Sequence, residues 1–152
     1  MKNDYADEVW SQVEGFEGEY EVSNCGRVRS CDKSVGHRWG GHALKRGRIL
    51  SIHLDRHGYS IVSLCRGGRC IKARVHRLVA EQFVANPKGA PQVNHIDGNR
   101  QNAHSSNLEW VSHAENLRHA RDYLGRWKGQ VKNPSGYNQY RKAPSQTRGA
   151  SL

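Results

Sequence analysis

Four side chains in the middle of the chain have the types needed to hydrolyse a phosphodiester. Asn94 and His95 are adjacent, and Asn107 and Asn116 follow further along the chain. One imidazole with several amide oxygens suits a hard divalent cation that keeps some water ligands, and it suits activation of that water. Phosphodiester hydrolysis needs both parts, because a base must deprotonate water while a cation holds the scissile phosphate.

Short elements must bring these four side chains together. Residues 92–95 (QVNH) and 108–111 (LEWV) have the composition of strands, and the loop IDGNRQNAHSSN joins them. Ser112 and Glu115 fit the S-x-x-E pattern of a capping box, which predicts a helix ending near Arg121. A hairpin packed against that helix would place the four side chains close to one another.

The preceding part of the chain predicts antiparallel strands followed by one helix. The predicted strands are 20–23, 27–30, 49–52, 59–64 and 70–75. Residues 32–47 are Gly-rich, polar and basic, which predicts a loop. From Val75 the apolar period becomes helical through Leu78, Val79 and Phe83, and Asn86-Pro87 ends that helix.

These elements predict an α+β fold in three parts. An antiparallel β meander occupies residues 8–74, a helix followed by a hairpin and a second helix occupies 75–122, and a basic flexible tail occupies 123–152. Leu108, Trp110 and Leu117 are predicted to lie in the core. Asp97 and Gly98 are predicted to shape the loop, since Gly adopts positive φ and Asp bonds local amides.

Composition excludes several classes of protein. The chain has 152 residues, a net charge of +10 and a mean hydropathy of −0.86. No run approaches the ~20 apolar residues of a membrane-spanning helix, and the N-terminus lacks the apolar stretch of a secretory signal, so we expect a cytoplasmic protein. The first 21 residues hold seven acids and one base, which leaves +16 on the remainder and favours a nucleic-acid partner.

The four cysteines do not form a recognisable metal motif. The pairs Cys25/Cys31 and Cys65/Cys70 are spaced too widely for zinc knuckles, so no structural zinc is expected. Cys65 and Cys70 flank a predicted Gly-Gly hairpin turn, which makes them cross-strand neighbours. Without an export signal we expect reduced thiols.

Two stretches of the sequence resemble parts of one protein family. The segment VHRLVAEQFVANPKGAPQVNHIDGNRQNAHSSNLEWVSHAENLRHA resembles HNH endonucleases of the phage and intron-homing type. The stretch WSQVEGFEGEYEVSNCGRVRS resembles the NUMOD4-like module that is often fused to such nucleases. Together they cover roughly residues 8–121, in the order that the family uses.

The resemblance implies a ββα-metal fold over residues 92–121 and a DNA endonuclease that uses one Mg²⁺ or Mn²⁺ per site. His95 would be the general base that activates water, and Asn107 would brace the loop that orients it. Asn94 and Asn116 would be metal ligands, with Asn94 a neutral residue where several members have Asp or His. His113 remains an alternative ligand to Asn116, and His76 is expected to be a structural histidine.

Basic residues near the predicted site and elsewhere are candidate contacts to DNA. They are Arg38, Lys45, Arg46, Arg48, Arg74, Arg77, Arg100, Arg118, Arg121 and Lys128. We expect double-stranded DNA as the partner, bound with steep salt dependence and little sequence preference. The chain shows no heptad seam, which favours a monomer, and one base with one metal per site would nick a single strand.

Two other functions remain open. A non-catalytic DNA-binding protein could retain the HNH fold, and the neutral Asn94 favours it. A small RNA-binding or ribosome-associated protein is supported by charge alone. Metal-dependent cleavage of DNA would exclude the non-catalytic DNA-binding protein. A preference for duplex DNA over structured RNA would exclude the RNA-binding or ribosome-associated protein.

Overall fold

The computed structural model describes residues 7–36 and 38–125. Within them the strands form four small antiparallel sheets, in the orders β1-β2-β3, β4-β5, β6-β7-β8 and β9-β10. The strands are β1 (Trp10–Gln12), β2 (Tyr20–Ser23), β3 (Val28–Ser30), β4 (Lys33–Gly36), β5 (His42–Lys45), β6 (His53–Leu54), β7 (Ser60–Arg66), β8 (Arg69–Arg74), β9 (Gln92–His95) and β10 (Leu108–Val111). The mixture of antiparallel strands and a few helices confirms the predicted α+β class.

Two helices flank the β9–β10 hairpin. Helix α1 (Val75–Phe83) precedes it, and α2 (His113–Arg118) follows it. The predicted capping box is confirmed, because the Ser112 hydroxyl accepts from the Glu115 amide while the Glu115 carboxylate accepts from the Ser112 amide at 2.8 Å. Beyond α2 the chain makes a π-helical turn, so the regular helix ends earlier than predicted. The predicted flexible tail lies, from residue 126 onward, outside the described residues.

One hydrophobic cluster joins the N-terminal strands to the helix and hairpin. Alternate residues of β2 and β7 point into it, as expected for strands with one buried face. Its buried members are Val13, Tyr20, Val22, Val28, Val62, Leu64, Val75, Val79, Ala80, Ala103 and Leu108. The Tyr20 hydroxyl donates to the carbonyl of Cys65 and accepts from its amide, which fixes β2 against β7.

Two predictions about the segment between β3 and β7 are wrong. Residues 49–52 do not form a strand; Ile49 makes an isolated bridge to Arg29, and the next strand begins only at His53. Residues 32–47 form the β4–β5 hairpin rather than a loop, with Val35 paired opposite Ala43. Strand β1 was missed because it has three residues, too few for an alternating pattern.

Leu117 is also placed differently from the prediction. Its side chain is 51% exposed, whereas Leu108 is buried and Trp110 is half-buried against the core. The indole N–H of Trp110 donates to the carbonyls of Ala80 and Val84, which secures β10 to α1. Leu117 therefore lies on an exposed face of α2 rather than in the core.

Cys65 and Cys70 form a disulfide, so the expectation of reduced thiols is wrong for this pair. The prediction that they are cross-strand neighbours is confirmed, since β7–β8 register places them directly opposite each other. Their Cα atoms are 4.0 Å apart. The expected reducing compartment predicts free thiols, whereas the tight hairpin holds the two sulfurs within bonding distance. Cys25 and Cys31 are free thiols.

No helix in residues 7–36 and 38–125 is long and apolar enough to cross a membrane.

Candidate active site

The end of β9 and the start of α2 form a small cleft. Asn94 and His95 are buried at the last two positions of β9, opposite Glu109 and Leu108 of β10. Asn116 of α2 lines the same cleft, which has a volume of about 60 Å³ and so has room for a few waters. The structure therefore brings together three of the four residues singled out from the sequence.

The two asparagines of the cleft are held in defined orientations. The Asn94 amide nitrogen donates to the Glu109 carboxylate at 3.0 Å, and the Asn116 amide nitrogen donates to Gln92 Oε1 at 2.8 Å. With both nitrogens engaged, the two carbonyl oxygens are the atoms left to accept a ligand. Gln92 also contacts His113 Nδ1 at 3.1 Å, and this contact keeps the alternative ligand His113 on the exposed side of α2.

Asn107 lies outside the cleft and closes the loop between the strands. Its amide nitrogen donates to Asp97 Oδ1 and to the Asn102 carbonyl, both at 2.9 Å, and its Oδ1 accepts from the Asp97 amide. The Asp97 carboxylate also accepts from the Asn99 amide, and Gly98 has a φ of +73°, which confirms the predicted loop-shaping roles of Asp97 and Gly98.

The hydrogen bonds around Asp97 also determine its charge. Burial raises the pKa of this carboxyl group, but hydrogen bonds from Asn102, Asn107 and the Asn99 amide more than offset burial and lower the pKa below its usual value. The loop therefore contains an ionised carboxylate two residues after His95. Its hydrogen bonds join the beginning of the loop to its end.

His95 is buried among aromatic rings. Its ring centroid lies 4.8 Å from that of His76 in an edge-to-face contact, and 5.9 Å from that of Tyr59. Burial lowers the pKa of His95, so the imidazole is neutral near pH 7 and can accept a proton. Its Nε2 has no hydrogen-bond partner among the described residues, which is unusual for a buried polar atom and is typical of functional sites.

The sequence predicts a structural role for His76, but it predicts neither Tyr59 nor the contact of both rings with His95. The guanidinium groups of Arg74 and Arg100 lie 4.7 and 4.9 Å from the Tyr59 ring, and the rings of Tyr59 and His76 are 5.0 Å apart. The spacing of His76 with the buried Val79 and Ala80 indicates its burial. No local pattern marks Tyr59, because its partners come from three other elements.

The basic candidates fall into three groups. Arg100 lines the cleft and donates to the His57 carbonyl at 2.6 Å, while Arg74 pairs with Asp55 beside it. Arg77, Arg118 and Arg121 lie on the helices, where Arg77 contacts Glu81 and Arg121 pairs with Asp122. The third group, on and beside the β4–β5 hairpin, comprises Arg38, Lys45, Arg46 and Arg48. Lys128 lies outside the described residues.

Two other histidines have structural contacts. His119 is buried beside the cleft, where its Nε2 lies 3.1 Å from the Ile96 carbonyl and its ring stacks on Tyr123. His104 accepts a hydrogen bond from the Ser106 amide and so caps the turn before β10. His119 therefore lines the cleft and links the loop after β9 to the turn after α2.

The donors of the cleft suit one kind of metal. Within the part of the chain that the structure describes, no three His, Cys, Asp or Glu side chains are grouped to hold an ion. The cleft instead has the amide oxygens of Asn94 and Asn116 beside the His95 imidazole. Such a set fits a hard divalent cation that takes most of its ligands from water and phosphate, and does not fit zinc.

Comparison with known proteins identifies both halves of this architecture. Residues 8–65 match the NUMOD4 motif, and residues 73–118 match the HNH endonuclease family, with Asn94, His95, Arg100 and Asn116 inside the second match. The chain belongs to the HNH endonuclease family. His76 also lies within the HNH match, whereas Tyr59, the third ring of the cluster, lies within the NUMOD4 match.

Characterised and uncharacterised HNH proteins are similar to this chain. DNA endonuclease I-HmuI of Bacillus phage SP01 is 34% identical over 108 residues, which are 71% of this chain and 55% of that protein. An uncharacterised HNH endonuclease of Acanthamoeba polyphaga mimivirus is 37% identical over 111 residues, 73% of this chain and 29% of that protein. The chain thus spans about half, or less, of these relatives.

A solved structure gives the same result for the fold. It is that of the HNH homing endonuclease I-HmuI, described for DNA binding and cleavage, and it superposes with a TM-score of 0.59 at 32% identity. The match covers 81% of this chain and 62% of the I-HmuI chain. The shared fold therefore includes the N-terminal strands as well as the HNH region.

Proposed function

We propose that this chain is a divalent-metal-dependent DNA endonuclease that nicks double-stranded DNA as a monomer in the cytoplasm. The observation that carries the proposal is the cleft in which Asn94, His95, Asn116 and Arg100 meet, in a chain similar to a protein that binds and cleaves DNA. Residues 8–74 would contact DNA, and residues 75–122 would be the nuclease core.

In this mechanism His95 removes a proton from the attacking water at a ring nitrogen. Burial lowers its pKa and keeps the ring neutral, which is the form that can accept a proton. The edge-to-face contact with His76 fixes the ring plane, and the Asn107 bonds to Asp97 and Asn102 fix the loop that starts at His95. The base is thus oriented from two sides.

Asn94 and Asn116 would hold Mg²⁺ or Mn²⁺ through their amide oxygens. When bound, that cation would neutralise charge on the scissile phosphate and on the leaving 3′ oxygen. Arg100, on the wall of the cleft, would bind a neighbouring phosphate and orient the strand. Because both amide ligands are neutral, we expect weak affinity for the metal alone and stronger affinity once DNA phosphate is present.

Nicking of supercoiled plasmid with Mg²⁺ or Mn²⁺ tests this function. We expect open circles from the wild-type protein and a loss of about 10²–10⁴-fold in rate for His95→Ala, the usual contribution of a general base. The matched control is His53→Ala, since His53 is exposed and is not among the residues that line the cleft. Equal nicking by wild type and His95→Ala would show that His95 is not the base.

A second candidate function is DNA binding without cleavage. It is favoured by the neutral Asn94 and by a cleft whose lining, among the described residues, has no carboxylate. This function predicts tight, salt-sensitive binding of duplex DNA with no nicking in any divalent ion, so the same plasmid assay distinguishes the two.

A further inference from the structure

The β4–β5 hairpin carries an exposed tryptophan at its turn. Trp39 is 89% exposed, and the neighbouring strands expose Val35 (40%) and Leu44 (57%). A Cβ atom placed on Gly40 or Gly41 would meet no other atom within 4 Å, so the turn is surrounded by open space. Exposing a large aromatic ring is unfavourable in water, and such a ring commonly marks a binding surface.

The base of this hairpin is firmly attached to the rest of the protein. The Gly47 amide donates to Asp32 at 2.7 Å, and Lys33 pairs with Glu19 at 2.9 Å. Gly47 also packs so tightly that a Cβ there would collide with the Ser30 carbonyl oxygen. The attached end of the hairpin is therefore fixed, while Trp39 at the turn is exposed to solvent.

The charge of the hairpin indicates what binds there. Residues 33–48 contain five bases and no acid. A cleft of about 350 Å³ at the base of the hairpin shares no residue with the candidate active site. The residues that line it are Tyr20, Ser30, Cys31, Lys33, Lys45, Arg46, Arg48 and Leu50. Lys33 and Arg46 pair with Glu19 and Asp32, while no carboxylate among the described residues pairs with Lys45 or Arg48. The excess of bases around this cleft favours a polyanion over an apolar protein surface.

We propose that the β4–β5 hairpin is an arm that enters a groove of duplex DNA, with Trp39 against the bases and the basic cleft on the phosphates. The proposal takes its ligand from the proposed function but names a contact separate from the cleavage site. A two-stranded ribbon fits the major groove, where an apolar ring can contact base edges such as the thymine methyl group, a contact that is largely independent of charge. Arg38, adjacent to Trp39 and exposed, would contact the backbone beside the tip.

The test is equilibrium binding of the full-length protein to a labelled duplex in EDTA, from about 50 to 300 mM salt. We expect Trp39→Ala to bind about 10-fold more weakly at every salt concentration, with the slope of log K against log salt unchanged. Trp39→Phe should stay within about 3-fold of wild type, because a ring remains. Lys45→Ala should instead reduce the slope by about 0.9, the effect of one lost phosphate contact.

The matched control is Ile71→Ala, which truncates an exposed apolar side chain (53%) on β8, and it should bind as wild type does. The proposal is overturned if Trp39→Ala binds as tightly as wild type, or if Trp39→Ala dissociates a dimer or releases the protein from vesicles without changing DNA binding. Thermal melts of each variant verify that the fold is intact.

The plasmid assay separates this proposal from the proposed function. If wild type binds DNA through Trp39 but never nicks, the proposal of a DNA-binding arm is supported and the proposed nuclease function is wrong. If wild type nicks while Trp39→Ala binds and nicks as wild type does, the proposal of a DNA-binding arm is wrong and the proposed nuclease function is supported. With both correct, Trp39→Ala needs about 10-fold more DNA than wild type to reach half of its maximal nicking rate.

Discussion

At the scale of single residues, the proposed general base, His95, depends on the rings around it as well as on its own imidazole. The HNH motif indicates His95 from sequence, because all residues of the motif lie within one short segment of the chain. Its ring contacts, His76 and Tyr59, come from earlier parts of the chain, from α1 and from the residue before β7, and meet it only in the folded protein. His76 was expected to be a structural residue, and in the structure its ring packs against the imidazole of His95.

Replacing His76 tests whether this contact positions the base. Burial lowers the pKa of His76 to about 3, so its ring is neutral and Phe is a suitable substitute. We expect His76→Ala to lower kcat for nicking by about 10- to 100-fold at unchanged KM, since a displaced catalytic group costs up to about 10²-fold. His76→Phe, which keeps an aromatic contact, should retain kcat within about 3-fold.

Steady-state kinetics measured well below the melting temperature of each variant separate this effect from unfolding. If His76→Ala and His76→Phe lose the same activity, or if only KM changes, His76 does not position His95.

At the scale of elements, strands with clear alternation and helices with clear caps were predicted correctly. Strands β2, β7, β9 and β10, helix α1 and the capping box of α2 all follow from local pattern. The β4–β5 hairpin did not, because its residues are exposed and its Gly-rich turn resembles a loop. The brace around Asn107 was indicated by the family resemblance, whereas its partners Asp97 and Asn102 needed the structure.

This braced loop should make stability depend on acid pH. The folded pKa of Asp97 is lower than its unfolded value of about 3.9, so its contribution is complete above that value and disappears as pH falls through the folded pKa. We expect Asp97→Asn to melt at a lower temperature than wild type at pH 7, with the difference shrinking towards about pH 3. Thermal melts at several pH values measure it. A difference that is constant over this pH range would mean that the Asp97 charge does not stabilise the loop.

At the scale of the whole molecule, the acidic N-terminal segment is part of the basic surface rather than separate from it. Glu8 pairs with Arg27, Glu21 pairs with Arg29, and Glu19 pairs with two bases of different sheets. The sequence showed the segregation of charge, but it could not show which bases the acids would neutralise. The bases of the Glu19 and Glu21 pairs are well exposed, so these pairs also shape the electrostatic field that DNA meets.

Releasing one of these acids should strengthen DNA binding. Glu19 contacts Lys33 at 2.9 Å and Arg66 at 2.5 Å. We expect Glu19→Gln to bind duplex DNA more tightly, with a salt slope steeper by up to about 0.9 for each base that then reaches a phosphate. Glu14→Gln makes the same change in net charge at an exposed position and serves as the control. Identical salt slopes for the two variants would show that net charge alone matters.

The hydrophobic cluster crosses the boundary between the two family motifs. Val22, Val28 and Leu64 come from the NUMOD4 region, while Val79 and Leu108 come from the HNH region, and all five are buried together. Separating the motifs would expose apolar surface on both pieces, which is costly for segments of this size. Within this chain the two motifs therefore form one folding unit, and a fragment carrying either motif alone should fold less stably than the joined pair.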